Sequence, residues 1–243
     1  MKAPFPVART SGGFSLIEIA IVLFIVALLL GGLLPTVSSQ IEQQRRAETR
    51  KQLDEIQQAL LGYAITKGYL PCPAKSASDG AEDRAGGVCN KRIGFLPWTE
   101  LSVRNTDSWD RLYTYSATPA FTNSTTPFTL IKSRDITLKT RDSAGTLVNL
   151  SNANDIPAVI LSHGPNGLFG TTVNGVVMAN TAPSSKNVDD QSDNATGTAT
   201  GMTFVNRDPA GPSNSMDVAF DDIVISLSPN ILFNRMVAAG KLP

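Results

Sequence analysis

Residues 13–35 read GFSLIEIAIVLFIVALLLGGLLP and decide the fold of the N-terminal part of the chain. From Phe14 to Leu34 the only charged side chain is Glu18. About twenty apolar residues make a helix about 30 Å long, which is enough to cross a bilayer and satisfies its own backbone there. The stretch is too long for a secretory signal peptide, and no small-x-small cleavage site follows it. It therefore predicts a transmembrane helix over residues 14–35.

The single carboxylate in this apolar stretch indicates a function. Inserting a carboxylate such as Glu18 into a membrane costs about 2.5 kcal/mol or more on insertion scales. An acid in such a stretch is therefore taken to have a function. Residues 1–13, MKAPFPVARTSGG, carry two basic residues, no acid and a final glycine pair. Composition alone also allows a plain membrane anchor, but the isolated acid argues for more than that.

The run GFSLIE at residues 13–18 resembles the prepilin cleavage and methylation motif of type IV pilins and type II secretion pseudopilins. The resemblance implies that residues 1–13 are a leader, which prepilin peptidase removes after Gly13. It also implies that the new N-terminal residue, Phe14, is N-methylated. Glu18 would then be an assembly residue that pairs with the N-terminal amine of a neighbouring subunit, because an amine and a carboxylate neutralise each other in apolar surroundings.

Residues 36–68 are predicted to continue as an amphipathic helix. Pro35 stands where the family commonly has a proline, and we expect a kink there. The residues that follow are good helix formers, and Gly68 is a plausible stop. One helix over 14–68 and two helices with a hinge at Pro35 both fit this pattern. The apolar stripe that needs a partner consists of Ile41, Leu53, Ile56, Leu60 and Tyr63 or Ala64.

Residues 69–243 are rich in turn formers and strand-like segments. They predict a β-rich globular domain whose antiparallel sheet packs on the long helix, which is a pilin-like α+β fold with a long variable loop region. The polar segment 181–201 predicts a mobile loop, and residues 231–239 predict a last helix. The predicted strands are 112–118, 127–133, 135–140, 158–164, 171–179 and 222–228.

A second, weaker resemblance lies at residues 107–116, DSWDRLYTYS. Minor pilins and pseudopilins have an Asp-x-Trp-Gly-x-x-x-x-Tyr pattern where the chain enters the sheet. Asp107 and Trp109 match that pattern, but Asp110 stands where glycine is usual. This difference from the family pattern bears only on the local turn that the pattern implies.

The two cysteines, Cys72 and Cys89, lie seventeen residues apart. The export that the resemblance implies would bring them into an oxidising periplasm, so a disulfide is expected. Closing a loop of this size contributes roughly 3 kcal/mol on the chain-entropy account. Two unpaired thiols are the alternative.

Few side chains point to a metal or another cofactor. Asp189, Asp190 and Asp193 offer the oxygen ligands that calcium takes, but their spacing matches no EF-hand, and a solvated acidic loop is the preferred interpretation. One histidine and two cysteines make a poor zinc site. No cofactor is therefore predicted.

Catalysis and nucleic-acid binding are also not predicted. His163 and Ser162 are adjacent, but the sequence has no G-x-S-x-G elbow and no clearly placed acid for a triad. The chain has 21 basic and 21 acidic residues, which gives no overall attraction to nucleic acid. We expect a protein that is not an enzyme.

The function expected from the resemblance is that of a structural subunit, a minor pilin or pseudopilin. It would assemble into a type IV pilus or a type II secretion pseudopilus, and the sequence leaves the choice open. The expected partners are other subunits through the N-terminal helix, prepilin peptidase, the inner-membrane assembly platform and membrane lipid. The expected location is the inner membrane, single-pass with the C-terminal domain in the periplasm, and then the filament. The alternative is a periplasmic binding or adhesive domain tethered by a pilin-type anchor.

Overall fold

The computed structural model describes residues 13, 15–197, 202–214 and 217–242; within the first helix it leaves out the side chains of residues 29–36. The chain divides into two compact units, Met1–Gln44 and Arg45–Pro243. All strands of the described chain belong to the second unit.

The first helix, α1, spans Leu16–Lys67. The predicted membrane-spanning first half of this helix is wrong, because none of the helices in the described part of the chain is both long enough and apolar enough to cross a membrane. The apolar part with described side chains covers residues 16–28, which is about 20 Å of helix. A span needs about twenty such residues. The part over residues 37–67 is long enough but carries many charged and polar side chains.

The C-terminal part of α1 forms one side of the core of the second unit. Leu53, Ile56, Leu60 and Ala64 are buried, at the three- and four-residue spacing of one helix face. These four residues confirm the predicted stripe, whereas Ile41 is 48% exposed. The helix ends at the predicted stop, since Gly68 takes a φ of +85° that L-residues disfavour.

Four shorter helices and nine strands follow α1 in the described chain. The helices are α2 (Trp98–Leu101), α3 (Pro119–Thr122), α4 (Lys186–Thr196) and α5 (Pro229–Ala238). The strands are β1 (Arg84–Ala85), β2 (Val88–Cys89), β3 (Ile93–Phe95), β4 (Thr114–Ala117), β5 (Ile136–Arg141), β6 (Leu147–Asn149), β7 (Ala158–Ser162), β8 (Met202–Val205) and β9 (Ile223–Leu227).

The strands form three sheets. The largest is antiparallel with the order β3-β4-β7-β9, the second has the order β6-β5-β8, and β1 pairs with β2. The second sheet is mixed, because β5 and β8 are parallel. The expectation of a single antiparallel sheet is therefore corrected, although the α+β class is confirmed.

The four-stranded sheet is the middle layer of the second unit. Ala158 and Ile160 of β7 belong to the cluster that contains the buried face of α1. Val159 and Leu161 belong to a second cluster with residues of β5 and β8. This alternation is the period of two expected for a strand buried on both faces. The second unit therefore has three layers, which are the C-terminal part of α1, the four-stranded sheet and the sheet β6-β5-β8.

Several local expectations fail for identifiable reasons. Segment 181–201 was predicted to be a loop, but it contains α4, which begins where the Ser185 side chain accepts a hydrogen bond from the Val188 amide. The buried face of α4 is largely polar, so it shows no apolar stripe. Segment 127–133 forms no strand, and 171–179 takes part only in two isolated bridges, Arg111–Thr172 and Thr171–Val177. The last helix is confirmed within two residues as α5.

Candidate functional site

The N-terminus of α1 carries the predicted assembly residue. The backbone amide of Ser15 donates a hydrogen bond to Glu18 Oε2 at 3.4 Å. Ser-x-x-Glu is the spacing of a capping box, in which the third residue of a helix returns to the amide of its N-cap. Glu18 also lies at the end of the helix dipole that favours a negative charge. One role of Glu18 is therefore local, because it stabilises the first turn.

The helix that follows presents an apolar surface on all sides. Each of residues 16–28 is exposed, and twelve of these thirteen are apolar. The large apolar side chains range from 43% exposed at Val26 to 89% at Leu16. At 3.6 residues per turn, thirteen consecutive exposed residues leave no polar face except at Glu18. An apolar surface of this kind requires a covering partner.

Of the two residues at the predicted cleavage point, the structure describes Gly13. Gly13 is exposed, and a Cβ added there would meet no atom of the described residues within 4 Å. Phe14, the predicted new N-terminus and methylation site, and Pro35, the predicted kink, lie outside the residues and side chains that the structure describes. The predicted cleavage, methylation and kink stay predictions.

The predicted disulfide between Cys72 and Cys89 is present, with an S–S distance of 2.06 Å. Arg84 lies within the loop that the disulfide closes. It forms a salt bridge with Glu82 at 2.9 Å and donates a hydrogen bond to the carbonyl of Thr122. The Arg84 guanidinium also lies 4.6 Å from the centre of the Tyr69 ring. The disulfide and this arginine together fix the segment that follows α1.

His163 lies in a buried contact between strands. Its Nε2 is 3.0 Å from Thr114 Oγ1 on β4, and its Nδ1 is 4.0 Å from Asp222 Oδ1. Burial, and then the charge of Arg111, lower the pKa of His163 to about 4. Burial raises the pKa of Asp222 well above its usual range. The order hydroxyl, imidazole, carboxyl is that of a triad, but all three side chains are buried and the contact joins β4 to the end of β7.

Ser162 does not pair with the neighbouring histidine. Its hydroxyl donates to Asp107 Oδ2 at 2.6 Å. Asp107 Oδ1 accepts from the amides of Trp109 and Arg111 at 2.9 and 3.0 Å. Asp110 takes a φ of +60°, a conformation that glycine adopts at little cost. The Asp-x-Trp segment therefore forms a side-chain-stabilised turn, and the position where the family pattern has glycine is a left-handed one.

The calcium candidates lie on α4. Asp190 is fully buried and accepts from Arg141 Nη2 at 2.6 Å and from Arg207 Nε at 2.8 Å. Asp189 accepts from the hydroxyl of Ser184 at 3.0 Å. Burial, and then the neighbouring carboxylates, raise the pKa of the third candidate, Asp193. The described residues contain no group of three or more His, Cys, Asp or Glu that could hold a metal ion.

Sequence reasoning missed the long-range members of these contacts. Arg141 and Arg207 lie 49 and 17 residues from Asp190, and no local pattern links them to it. Thr114 and Asp222 were likewise not associated with His163. The one signal available was the Asp-x-Trp pattern, which identified Asp107.

Comparisons with models of known protein families, with curated proteins and with solved structures found no match for this chain. The resemblance of residues 13–18 to the prepilin motif stays a prediction. The partners and the inner-membrane location that follow from it stay predictions as well.

Proposed function

We propose that this chain is a structural filament subunit of the minor pilin or pseudopilin kind. In this account prepilin peptidase cuts after Gly13, and the new N-terminal Phe14 is methylated. The mature chain then assembles through the N-terminal part of α1. The observation that carries the proposal is the surface of residues 16–28, which is apolar and exposed on all sides apart from one carboxylate.

Helix-on-helix assembly covers that surface and gives the carboxylate a partner. Copies of an apolar helix bury each other's side chains, at about 25 cal/mol for each Å² removed from water. Inside such a bundle an uncompensated Glu18 would cost several kcal/mol. The amine freed by cleavage at Phe14 supplies the opposite charge, so one acid sets the register of one subunit on the next.

The capping contact allows a sharp test of Glu18. Glutamine also serves at the third position of a capping box, but it carries no charge. We expect Glu18→Gln to keep the helix start and to lose most incorporation into sheared filaments, and we expect Glu18→Ala to lose both. Glu55→Gln, on the exposed side of α1, is the matched control. Incorporation is measured by immunoblot of sheared filaments against total chain.

Each outcome has a defined meaning. Normal incorporation of Glu18→Gln together with loss in Glu18→Ala would reduce Glu18 to a helix cap and remove the charge-pairing step. Normal incorporation of both variants would contradict the assembly role of Glu18 altogether.

A further inference from the structure

The sequence contains three Asn-x-Ser/Thr triplets, which is the acceptor pattern for N-linked glycosylation. They lie at residues 123–125 (NST), 149–151 (NLS) and 194–196 (NAT), and none has proline in the middle. An acceptor in a folded chain needs an asparagine amide nitrogen that reaches the surface. It also needs a hydroxyl two residues later that is not committed to another contact. The structure separates the three triplets by these two requirements.

The triplet at Asn194 is excluded by burial. The residue is fully buried on α4, and its Nδ2 donates to Val205 O at 3.0 Å and to Asp222 Oδ2 at 2.8 Å. Its Oδ1 accepts from the Val205 amide at 2.6 Å. A sugar on Nδ2 would remove these bonds and displace the end of β8. This asparagine therefore has a structural role and is no acceptor in the folded chain.

The triplet at Asn149 fails the second requirement. Asn149 is exposed, but it lies on β6, where its backbone pairs with Lys139 of β5. The hydroxyl of Ser151 donates to Asn152 O at 2.9 Å and accepts from the Leu138 amide at 3.1 Å. That hydroxyl holds the chain against β5 instead of serving Asn149. Asn149 is therefore an exposed comparison site within the same protein.

The triplet at Asn123 meets both requirements. Asn123 follows α3 and is partly exposed, and Thr125 and Thr126 are exposed. Its Oδ1 accepts from Thr125 Oγ1 at 2.8 Å and from the amides of Thr125 and Thr126, both at 2.9 Å. These three donors fix the side-chain amide on its oxygen side. Nδ2 has no acceptor in the described chain and is not enclosed, so it is the atom left to react.

Contacts with the disulfide-closed loop, residues 72–89, hold this triplet at the surface. The Ser124 amide donates to Gly87 O at 2.9 Å. Arg84 Nη1 donates to Gly87 O at 3.0 Å and also to the carbonyl of Thr122. The turn is thus fixed on both sides of Asn123, and the folded chain presents the triplet without local unfolding.

We propose that Asn123 is an N-glycosylation site, with a lipid-pyrophosphate-linked oligosaccharide as the sugar donor. Nδ2 attacks C1 of the first sugar, and the C1–O bond to the pyrophosphate breaks. The lipid pyrophosphate leaves with the bonding electron pair, and the proton from Nδ2 passes to a base of the transferase, so the step needs no oxidant or reductant. The site rests on the proposed function in one respect, since N-glycosylation is a modification of exported chains.

The first arm of the test is peptide mass spectrometry of the full-length chain from its native source. Trypsin separates the three triplets into peptides 112–132, 142–186 and 187–207. We expect an added glycan mass on peptide 112–132, which fragmentation places on Asn123, and none on the other two peptides.

The second arm uses the folded full-length chain, a purified oligosaccharyltransferase that requires only Asn-x-Ser/Thr, and a polyprenyl-pyrophosphate disaccharide. We expect one disaccharide per chain by intact mass. Asn123→Gln and Thr125→Ala should lower transfer about tenfold or more, and Thr125→Ser, which keeps the hydroxyl, should restore it. Asn149→Gln is the matched control, and it should leave transfer unchanged.

The proposal is overturned if peptide 112–132 of the native chain is unmodified, or if its added mass lies on Thr125 or Thr126. It is also overturned if Thr125→Ala accepts the disaccharide as well as the wild-type chain does. These results differ from a failure of the filament proposal. A native chain that carries the glycan on Asn123 but keeps residues 1–13 would contradict processing after Gly13 and leave the glycosylation site in place.

Discussion

Replacing Asp190 with asparagine tests the buried charge cluster that joins α4 to β5. Asp190 is fully buried, and its partners Arg141 and Arg207 are only 15% and 11% exposed at the side chain. The carboxylate accepts three short bonds from the two guanidinium groups, at 2.6, 2.8 and 2.8 Å. Asparagine has one acceptor oxygen and no charge. Two nearly buried cations would lose the carboxylate that they share.

The expected cost follows from this geometry. Breaking a buried pair by removing one partner costs about 3–5 kcal/mol. With a urea dependence of about 2–3 kcal/mol per molar, a loss of about 3 kcal/mol moves the unfolding midpoint down by about 1–1.5 M. The assay is urea unfolding of the second unit in the full-length chain, followed by tryptophan fluorescence.

Glu55→Gln is the control, because the Lys51–Glu55 pair is largely exposed and exposed pairs contribute at most about 1 kcal/mol. A midpoint for Asp190→Asn within about 0.2 M of wild type, at most about a fifth of the expected shift, would refute the reasoning. Calcium is the second arm: a midpoint that rises with added calcium only when Asp190 is present would show a metal ligand instead of an arginine partner.

Replacing both Cys72 and Cys89 with serine should lower the free energy of unfolding by roughly 3 kcal/mol. An unchanged urea midpoint would contradict the stabilising role of the disulfide. Asp110→Gly should stabilise the chain by about 0.5–1 kcal/mol, because glycine relieves the left-handed backbone; a loss of stability would mean that the aspartate side chain is needed there. His163 has a lowered pKa of about 4, so the unfolded chain binds more protons between that pH and about 6.5. Stability should therefore fall as the pH drops through this window, and His163→Gln should flatten the pH profile. The raised pKa of Asp222 acts the other way, since its contribution is lost as the pH rises. A His163→Gln profile with the same slope as the wild-type profile would contradict the buried neutral histidine.

The sequence predicted the parts of the fold that have strong local signals. The buried face of α1 from Leu53 to Ala64 followed from helical spacing, and its end followed from Gly68. The disulfide followed from two cysteines and an expected compartment. Strand β7 was visible as a short apolar run, although its burial between two layers was not.

The parts that failed depend on contacts distant in sequence. Helix α4 buries Asn187, Gln191 and Asn194, whose amides bond to backbone carbonyls and carboxylates of later segments, so an amphipathic pattern could not reveal it. The parallel pairing of β5 with β8 joins residues more than sixty positions apart. The membrane span failed for a different reason, because that prediction rested on the apolar length of residues 14–35.

The candidate site also has a part that the local sequence predicted and a part that it did not. Residues 13–18 were identified from their local pattern, and the structure adds the capping contact of Glu18 with Ser15. The contact of His163 with Thr114 could not be predicted, because the two residues lie 49 positions apart in the sequence.

The central claim is tested most directly by the intact mass and N-terminal sequence of the protein recovered from its native filaments. The account predicts a chain that begins at Phe14 and carries one added methyl group on its amine. A chain in those filaments that still carries residues 1–13 would contradict processing after Gly13, and with it the proposal that Glu18 pairs with a freed amine.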